Sequence, residues 1–202
     1  MSDLGGILGG VAIGYLIGTF PSADLVTRVV TRGSVDIRSA GSGNPGGLNA
    51  TRVLGTGWGL LVIVLDAAKG ALAGALGLVV GDAACYAAGA AVIAGHVWPV
   101  WTRFRGGRGV ASAGGSFATV FPPFFAIGAV LAGALALVTR DAALTIRVVC
   151  PVWVAAAAAW WAAGLDNLWG PAAGAGLLAY ALVGAGIVLS RFRPGVRGAG
   201  SP

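Results

Sequence analysis

The chain has 202 residues, of which 57% are apolar and only 10% charged, and a formal net charge of +6. Soluble globular chains carry about a quarter charged residues. This composition, with a mean hydropathy of +0.87, therefore excludes a soluble enzyme, a disordered chain and a secreted disulfide scaffold, and indicates an integral membrane protein.

A helix crossing about 30 Å of hydrocarbon needs roughly 20 mostly apolar residues. The first such stretch is 5–27. Asp3 stands where a signal peptide would carry basic residues and no small-residue cleavage site follows, so the stretch reads as a retained span. Arg28, Arg32, Arg38 and Arg52 come next, around the glycine-rich run AGSGNPGGLNATR at 40–52. The second span, 54–80, carries Asp66 and Lys69, three residues apart and so on one helix face. Charges at that depth pair with each other or face a polar interior. The third, 83–101, runs into GHVWPVWTRFRGGRGVASAGG at 95–115, with Arg103, Arg105 and Arg108. The apolar stretch 110–138 contains Pro122 and Pro123, which remove two donors, so it is either one kinked helix or two helices meeting at the prolines. Arg140 and Arg147 precede a span at 148–164, and a last span at 171–190 leads to Arg191, Arg193 and Arg197.

The positive-inside rule separates the two readings of 110–138. If the chain turns at the prolines, there are seven spans, the N-terminus lies outside, the C-terminus is cytoplasmic, and all the arginines are cytoplasmic. If it only kinks, five arginines move to the far side. The expectation is an all-α membrane protein, one polytopic domain over 1–202, with spans at 5–27, 54–80, 83–101, 110–121, 124–138, 148–164 and 171–190. The stretch 110–121 is then only about 18 Å long at 1.5 Å per residue and must be shielded by its neighbours. Trp98, Trp101, Trp153, Trp160, Trp161 and Trp169 fall near predicted span ends and read as interface anchors. Cys85 and Cys150 fall near opposite faces, in no metal-ligand or CxxC spacing, and are not expected to pair. Because the basic residues form short clusters and no extended face, nucleic acid is excluded as a partner.

The two loops at 40–52 and 95–115 are where chemistry is expected. Glycines let backbone N–H groups approach an anion, and arginines add directional donors suited to phosphate. The alternative for each loop is a tight connection obeying the inside rule. Ser42 is a candidate nucleophile or, in a glycine-rich turn, a hydrogen-bonder to phosphate. His96 is the single histidine; it is either an interfacial side chain or a functional one. One His with scattered Asp gives no metal-ligand cluster, and no His–Asp pair is visible along the chain.

In combination, GSGNPGGLN with Arg52, LDAAKG at 65–70, GHVWPVW, and GGRGVAS resemble the bacterial acyl-phosphate:glycerol-3-phosphate acyltransferase family over most of residues 14–116. The resemblance implies a seven-helix membrane enzyme with its N-terminus outside and its active site facing the cytoplasm of a bacterial cell. It implies transfer of a fatty acyl group from acyl phosphate to the 1-hydroxyl of glycerol 3-phosphate, giving lysophosphatidic acid, with no cofactor and no metal. It makes Ser42, Arg52, His96 and Arg108 the catalytic candidates. Gly41, Gly43, Asn44, Gly46, Asn49, Lys69, Arg103, Gly106, Gly107, Gly109 and Ser112 become the substrate-binding candidates. Arg108 stands where the family usually has Lys, exchanging a point charge for a planar fork. The third family motif keeps Thr139 and Arg140 but continues with Asp141, Ala142, Ala143 and Leu144, and the tail after Ser190 lacks the family's His and Asn. These departures leave two alternatives open: a paralogue acylating another phosphorylated acceptor, and a transporter that binds anions without chemistry.

Overall fold

A computed structural model describes residues 3–192 of the chain, which form nine α-helices with no strand among them. Five stretches are long and apolar enough to cross a membrane: Leu4–Val30, Thr56–Val80, Asp82–Thr102, Pro122–Thr139 and Ala142–Ala162. Val110–Val120 and Ala175–Ser190 are shorter apolar helices. Arg193, Arg197 and the rest of the tail lie outside the described residues.

The stretch expected as one helix over 5–27 is interrupted. Helix α1 (Asp3–Gly18) stops before Pro21, and α2 (Ser22–Val30) starts after it, because a proline ring drives the preceding residue out of helical geometry. The break has a consequence for the interior: the freed Phe20 carbonyl accepts a hydrogen bond from Lys69 Nζ at 3.1 Å. A loop then leads to α3 (Gly47–Leu54), which ends at Gly55 with φ +93° and passes into α4 (Thr56–Val80). Helix α5 (Asp82–Val97) follows after Gly81. A single 3-10 turn at Val100–Thr102 opens the second loop.

Pro122 and Pro123 start a helix here and do not kink one. Helix α6 (Val110–Val120) ends at Phe121, which leaves helical geometry at φ −142° and ψ 66°. Helix α7 (Pro122–Thr139) carries both prolines in its first turn, where no intrahelical N–H is needed. Helix α8 (Ala142–Ala162) begins six residues before the expected start at 148, because Asp141 caps it by accepting from the N–H groups of Ala143 and Leu144 at 2.7 and 3.1 Å. That longer helix also moves Trp153 away from any end. It is 1% exposed, in the centre of the core, and is not an interface anchor. Helix α9 (Ala175–Ser190) closes the fold.

Small residues set the closest helix approaches. Gly10, Gly14 and Gly18 lie at four-residue spacing on α1, and a Cβ on any of them would collide with the backbone of α5 at Ala84, Ala88 and Val92 in turn. Gly70 and Gly115 do the same where α4 meets α6, facing Ser112 and Ala67. The main core lies between α5, α6, α8 and α9, around Phe117, Trp153 and Tyr180. At one end of the bundle the segment after α8 ties the turns together: Asn167 Nδ2 donates to the carbonyls of Val120 and Pro171, and Asp82 accepts from Ala172 N–H. The two glycine loops meet at the other end, where Arg38 donates from Nε and a terminal nitrogen to the Arg105 carbonyl at 3.2 and 3.0 Å.

Candidate functional site

Three features share the loop end of the bundle. The first is a small polar pocket, bounded by the α1–α2 break, Arg38, Pro45, Asp66, Lys69, His96 and Gly106-Gly107. Its floor is a charged cluster inside the bundle. Asp66 lies 2.9 Å from Lys69 Nζ and 3.4 Å from His96 Nδ1, with the three residues 2%, 6% and 8% exposed. The other imidazole nitrogen of His96 faces Gly107, where a Cβ would overlap it. The N–H groups of Gly106 and Gly107 donate to the carbonyls of Val97 and His96, both at 3.1 Å. The second glycine loop is thus folded back onto the last turn of α5, and only glycine permits that approach. At the rim, Arg38 pairs with Asp24. Burial, and then the neighbouring charge of Arg105, hold the Arg38 guanidinium below its ordinary pKa. The pocket's charges are therefore largely matched internally.

The second feature is a set of arginines without such matching. Arg108, half-buried in the loop before α6, stacks its guanidinium 4.8 Å over the Phe192 ring, a cation–π contact. Burial lowers its pKa, and the charges of Arg191 and Arg52 lower it further. Arg147 reaches the same point from α8, donating to the Phe192 carbonyl at 3.3 Å. Arginines from α3, α8, the second loop and the end of α9 thus converge. Among the described residues, no carboxylate pairs with any of the four. Like charges gathered in this way are destabilising unless an anion joins them.

The third feature opens beside this cluster. An apolar cleft of about 130 Å³ lies between α6, α7, α8 and α9, with Val110 and Val188 among its lining residues. Val110 follows Arg108 by two residues and Val188 precedes Arg191 by three, so the arginines stand at its mouth. Val110 and Phe125, which line it, are both more than 40% exposed.

The family description "Glycerol-3-phosphate acyltransferase" matches residues 8–198. The chain is 50% identical over 105 residues to glycerol-3-phosphate acyltransferase 4 of Dehalococcoides mccartyi, covering 51% of this chain and 56% of that protein. Against the glycerol-3-phosphate acyltransferase of Myxococcus xanthus it is 42% identical over 137 residues, covering 66% of this chain and 70% of that one. The chain thus spans little more than half the length of the first of these relatives. The crystal structure of PlsY, an integral membrane glycerol 3-phosphate acyltransferase, in its glycerol 3-phosphate form, superposes with a TM-score of 0.73. The identity is 29%, over 92% of this chain and 87% of that one. The chain belongs to the glycerol-3-phosphate acyltransferase family. It is an all-α integral membrane protein.

Against that family background, the candidates named from the sequence separate into groups. Lys69, His96, Gly106 and Gly107 line the polar pocket. Arg52 and Arg108 belong to the arginine cluster, with Gly109 (φ +83°) turning the chain into α6. In the first loop, Gly41 and Gly43 adopt left-handed values of +58° and +71°, but much of the loop's hydrogen bonding is internal. Asn49 is buried; its side chain accepts from Ser42 N–H at 2.7 Å and donates to the carbonyls of Ile37 and Ala40 at 3.1 and 3.0 Å. The N–H groups of Gly43 and Gly46 donate to Ala40 and Asn44. Asn44 packs over Gly46, and the hydroxyl of half-buried Ser42 has no partner among the described residues. Ser112 is fully buried against α4, and Arg103 is exposed at the end of the 3-10 turn, outside the pocket.

Sequence reasoning missed four contributors. Asp66 was visible as a partner for Lys69, but its approach to His96 has no trace along the chain, because the two are thirty residues apart on neighbouring helices. Arg38, Arg147 and Arg191 were visible only as topology markers. Clustering of unmatched charge around a glycine loop is a three-dimensional property with no local signature.

Proposed function

We propose that this protein transfers a fatty acyl group from an acyl phosphate to the 1-hydroxyl of glycerol 3-phosphate, releasing inorganic phosphate and forming lysophosphatidic acid for phospholipid synthesis. The observation that carries the reading is the unmatched arginine cluster at the mouth of an apolar cleft, in a member of this family. An acyl phosphate has that shape and charge: a doubly charged head on a long apolar chain. Its phosphate meets Arg52, Arg108, Arg147 and Arg191, and its chain enters the cleft. The acceptor approaches from the polar pocket, where Lys69, Arg38 and His96 supply donors. The shared 106–109 loop places the two against each other.

The chemistry needs positioning and charge stabilisation, with no covalent enzyme intermediate. The acceptor hydroxyl attacks the acyl carbon, the bond from that carbon to the phosphate oxygen breaks, and the hydroxyl proton passes to the departing phosphate. Arginine contacts strengthen as charge builds on the leaving group. The His96–Asp66 pair fixes the loop that carries Arg108. The Ser42 hydroxyl and the free N–H groups of Gly47 and Leu48 at the start of α3 are additional donors on the first loop.

The same reading makes residues 1–202 one polytopic domain of a bacterial cell membrane, crossing seven times with α6 as a short shielded span. The N-terminus lies outside, and the site and C-terminus face the cytoplasm. Separate α6 and α7, and the gathering of both glycine loops at one end, support it. The deciding experiment for the activity uses purified protein with labelled acyl phosphate and glycerol 3-phosphate. The wild type forms lysophosphatidic acid and Arg108→Ala does not; undiminished turnover by that variant would overturn the assignment.

A further inference from the structure

We propose that Trp153, with Phe117 beside it, forms the floor of the apolar cleft and sets the length of acyl chain the enzyme accepts, while Gly114 keeps the cleft wall open. The inference rests on the acyl-phosphate reading above and deepens it. Two helices line the cleft in parallel series. On α6 the lining runs Val110, Ala113, Gly114, Phe117, and on α8 it runs Ile146, Val149, Cys150, Trp153. Each series starts beside the arginine cluster and ends on an aromatic ring seven residues later, so both walls reach the same depth, about 10 Å at 1.5 Å per residue.

The floor is rigid for reasons visible around it. Phe117 and Trp153 meet edge to face at 4.7 Å, Trp153 meets Tyr180 at 5.1 Å, and Phe117 meets Phe124 at 5.2 Å. Behind Trp153, the α9 backbone at Gly184 comes so close that a Cβ there would overlap the indole. The ring therefore has no room to recede when a longer chain presses on it. Tyr180 is itself tied to Ser116 at 2.5 Å. The wall differs from the floor. A Cβ on Gly114 would meet no atom within 4 Å, so the space its missing side chain leaves belongs to the cleft. Packed walls transmit a change of a single methylene, so a fixed floor measures chain length.

The test is a profile of kcat/KM against chain length, using the full-length protein in lipid nanodiscs with glycerol 3-phosphate and saturated acyl phosphates from short to long. Beyond the length that fills the cleft, kcat/KM falls steeply, because each further methylene must either displace the packed floor or withdraw the acyl carbon from the arginines. Trp153→Ala and the milder Trp153→Phe shift the optimum towards longer chains, and Gly114→Leu shifts it towards shorter ones. Trp153→Phe protects the test against misfolding, because it keeps an aromatic floor and removes an indole N–H that is buried without a partner. Active variants with an unchanged length profile overturn the proposal and leave the acyltransferase reading standing; the cleft is then a crevice filled by membrane lipid. A wild type that turns over no acyl phosphate of any length overturns both.

Discussion

Two buried charges and a histidine determine how the second loop is held. Asp66, Lys69 and His96 cannot be read as three independent side chains, because removing Asp66 or Lys69 leaves the other charge buried without its ion-pair partner. Breaking such a pair from one side costs about 3–5 kcal/mol, whereas replacing both partners by apolar residues of similar volume is often neutral. Lys69→Met alone is therefore expected to lower thermal stability in detergent sharply, and the double variant Asp66→Leu with Lys69→Met to restore most of it. Activity separates a structural pair from a functional one: recovery of stability without recovery of turnover shows that the cluster serves the site, as donors to the acceptor or through the loop that His96 holds. Arg38 is a second single-residue test. Its two hydrogen bonds to the Arg105 carbonyl tie the approach to the first glycine loop to the second, and its ion pair with Asp24 ties it to α2; charged hydrogen bonds contribute about 1.5–3 kcal/mol each when desolvated, less at a half-exposed rim. Arg38→Ala should raise amide hydrogen exchange in residues 31–46 while exchange in α8 stays unchanged.

At the scale of the element, what was legible in the sequence follows from periodicity and punctuation. Long apolar runs and paired prolines have local signatures, and the α6–α7 division at Pro122 follows from them. The α1–α2 break at Pro21 was missed, since one proline in an apolar run looks like the kinks that membrane helices tolerate. The early start of α8 was missed because Arg147 interrupts the apolar run and set the expected start at 148, whereas Asp141 caps the helix earlier. That same aspartate is one of the departures from the family's third motif, and the structure gives it a local role. Asp141→Ala should destabilise α8 by about 0.5–2 kcal/mol, read as a lowered melting midpoint. Helix contacts made by missing side chains were equally hard to see, because abundant glycine in a chain rich in small residues carries no partner information. Gly10, Gly14 and Gly18 bring α1 against α5 backbone to backbone, so Gly14→Leu must push the helices apart. Overpacking of this kind costs about 1–3 kcal/mol, and because α5 carries His96, the variant is expected to lose activity together with stability.

For the molecule as a whole, the distribution of charge and the placement of the loops depend on the short helix α6. Eleven residues span about 16 Å, too little for an unassisted crossing, yet Gly115 is pressed against α4, and Ser112 and Ser116 are fully buried. Such a helix makes little demand on the lipid, because its neighbours supply its surroundings. If it crosses, the segment before α8 lies on the side of the two glycine loops and the arginines among the described residues share one face. If it does not, the α7–α8 connection and the loop at 165–170 exchange sides. Thiol labelling of intact cells distinguishes these. The native Cys85 and Cys150 are buried and unpaired, which keeps the background low, and Ser34, Ala142 and Asp166 are all exposed. In a seven-span molecule with its N-terminus outside, a membrane-impermeant maleimide labels the Asp166→Cys variant, and it labels Ser34→Cys and Ala142→Cys only after the cells are opened. Labelling of Ala142→Cys from outside would put the α7–α8 connection, with Arg140, on the far side of the membrane from the glycine loops. Arg147 on α8 would be carried with it, and the arginine cluster at the cleft mouth could not assemble. The topology and the proposed site therefore stand or fall on the same measurement.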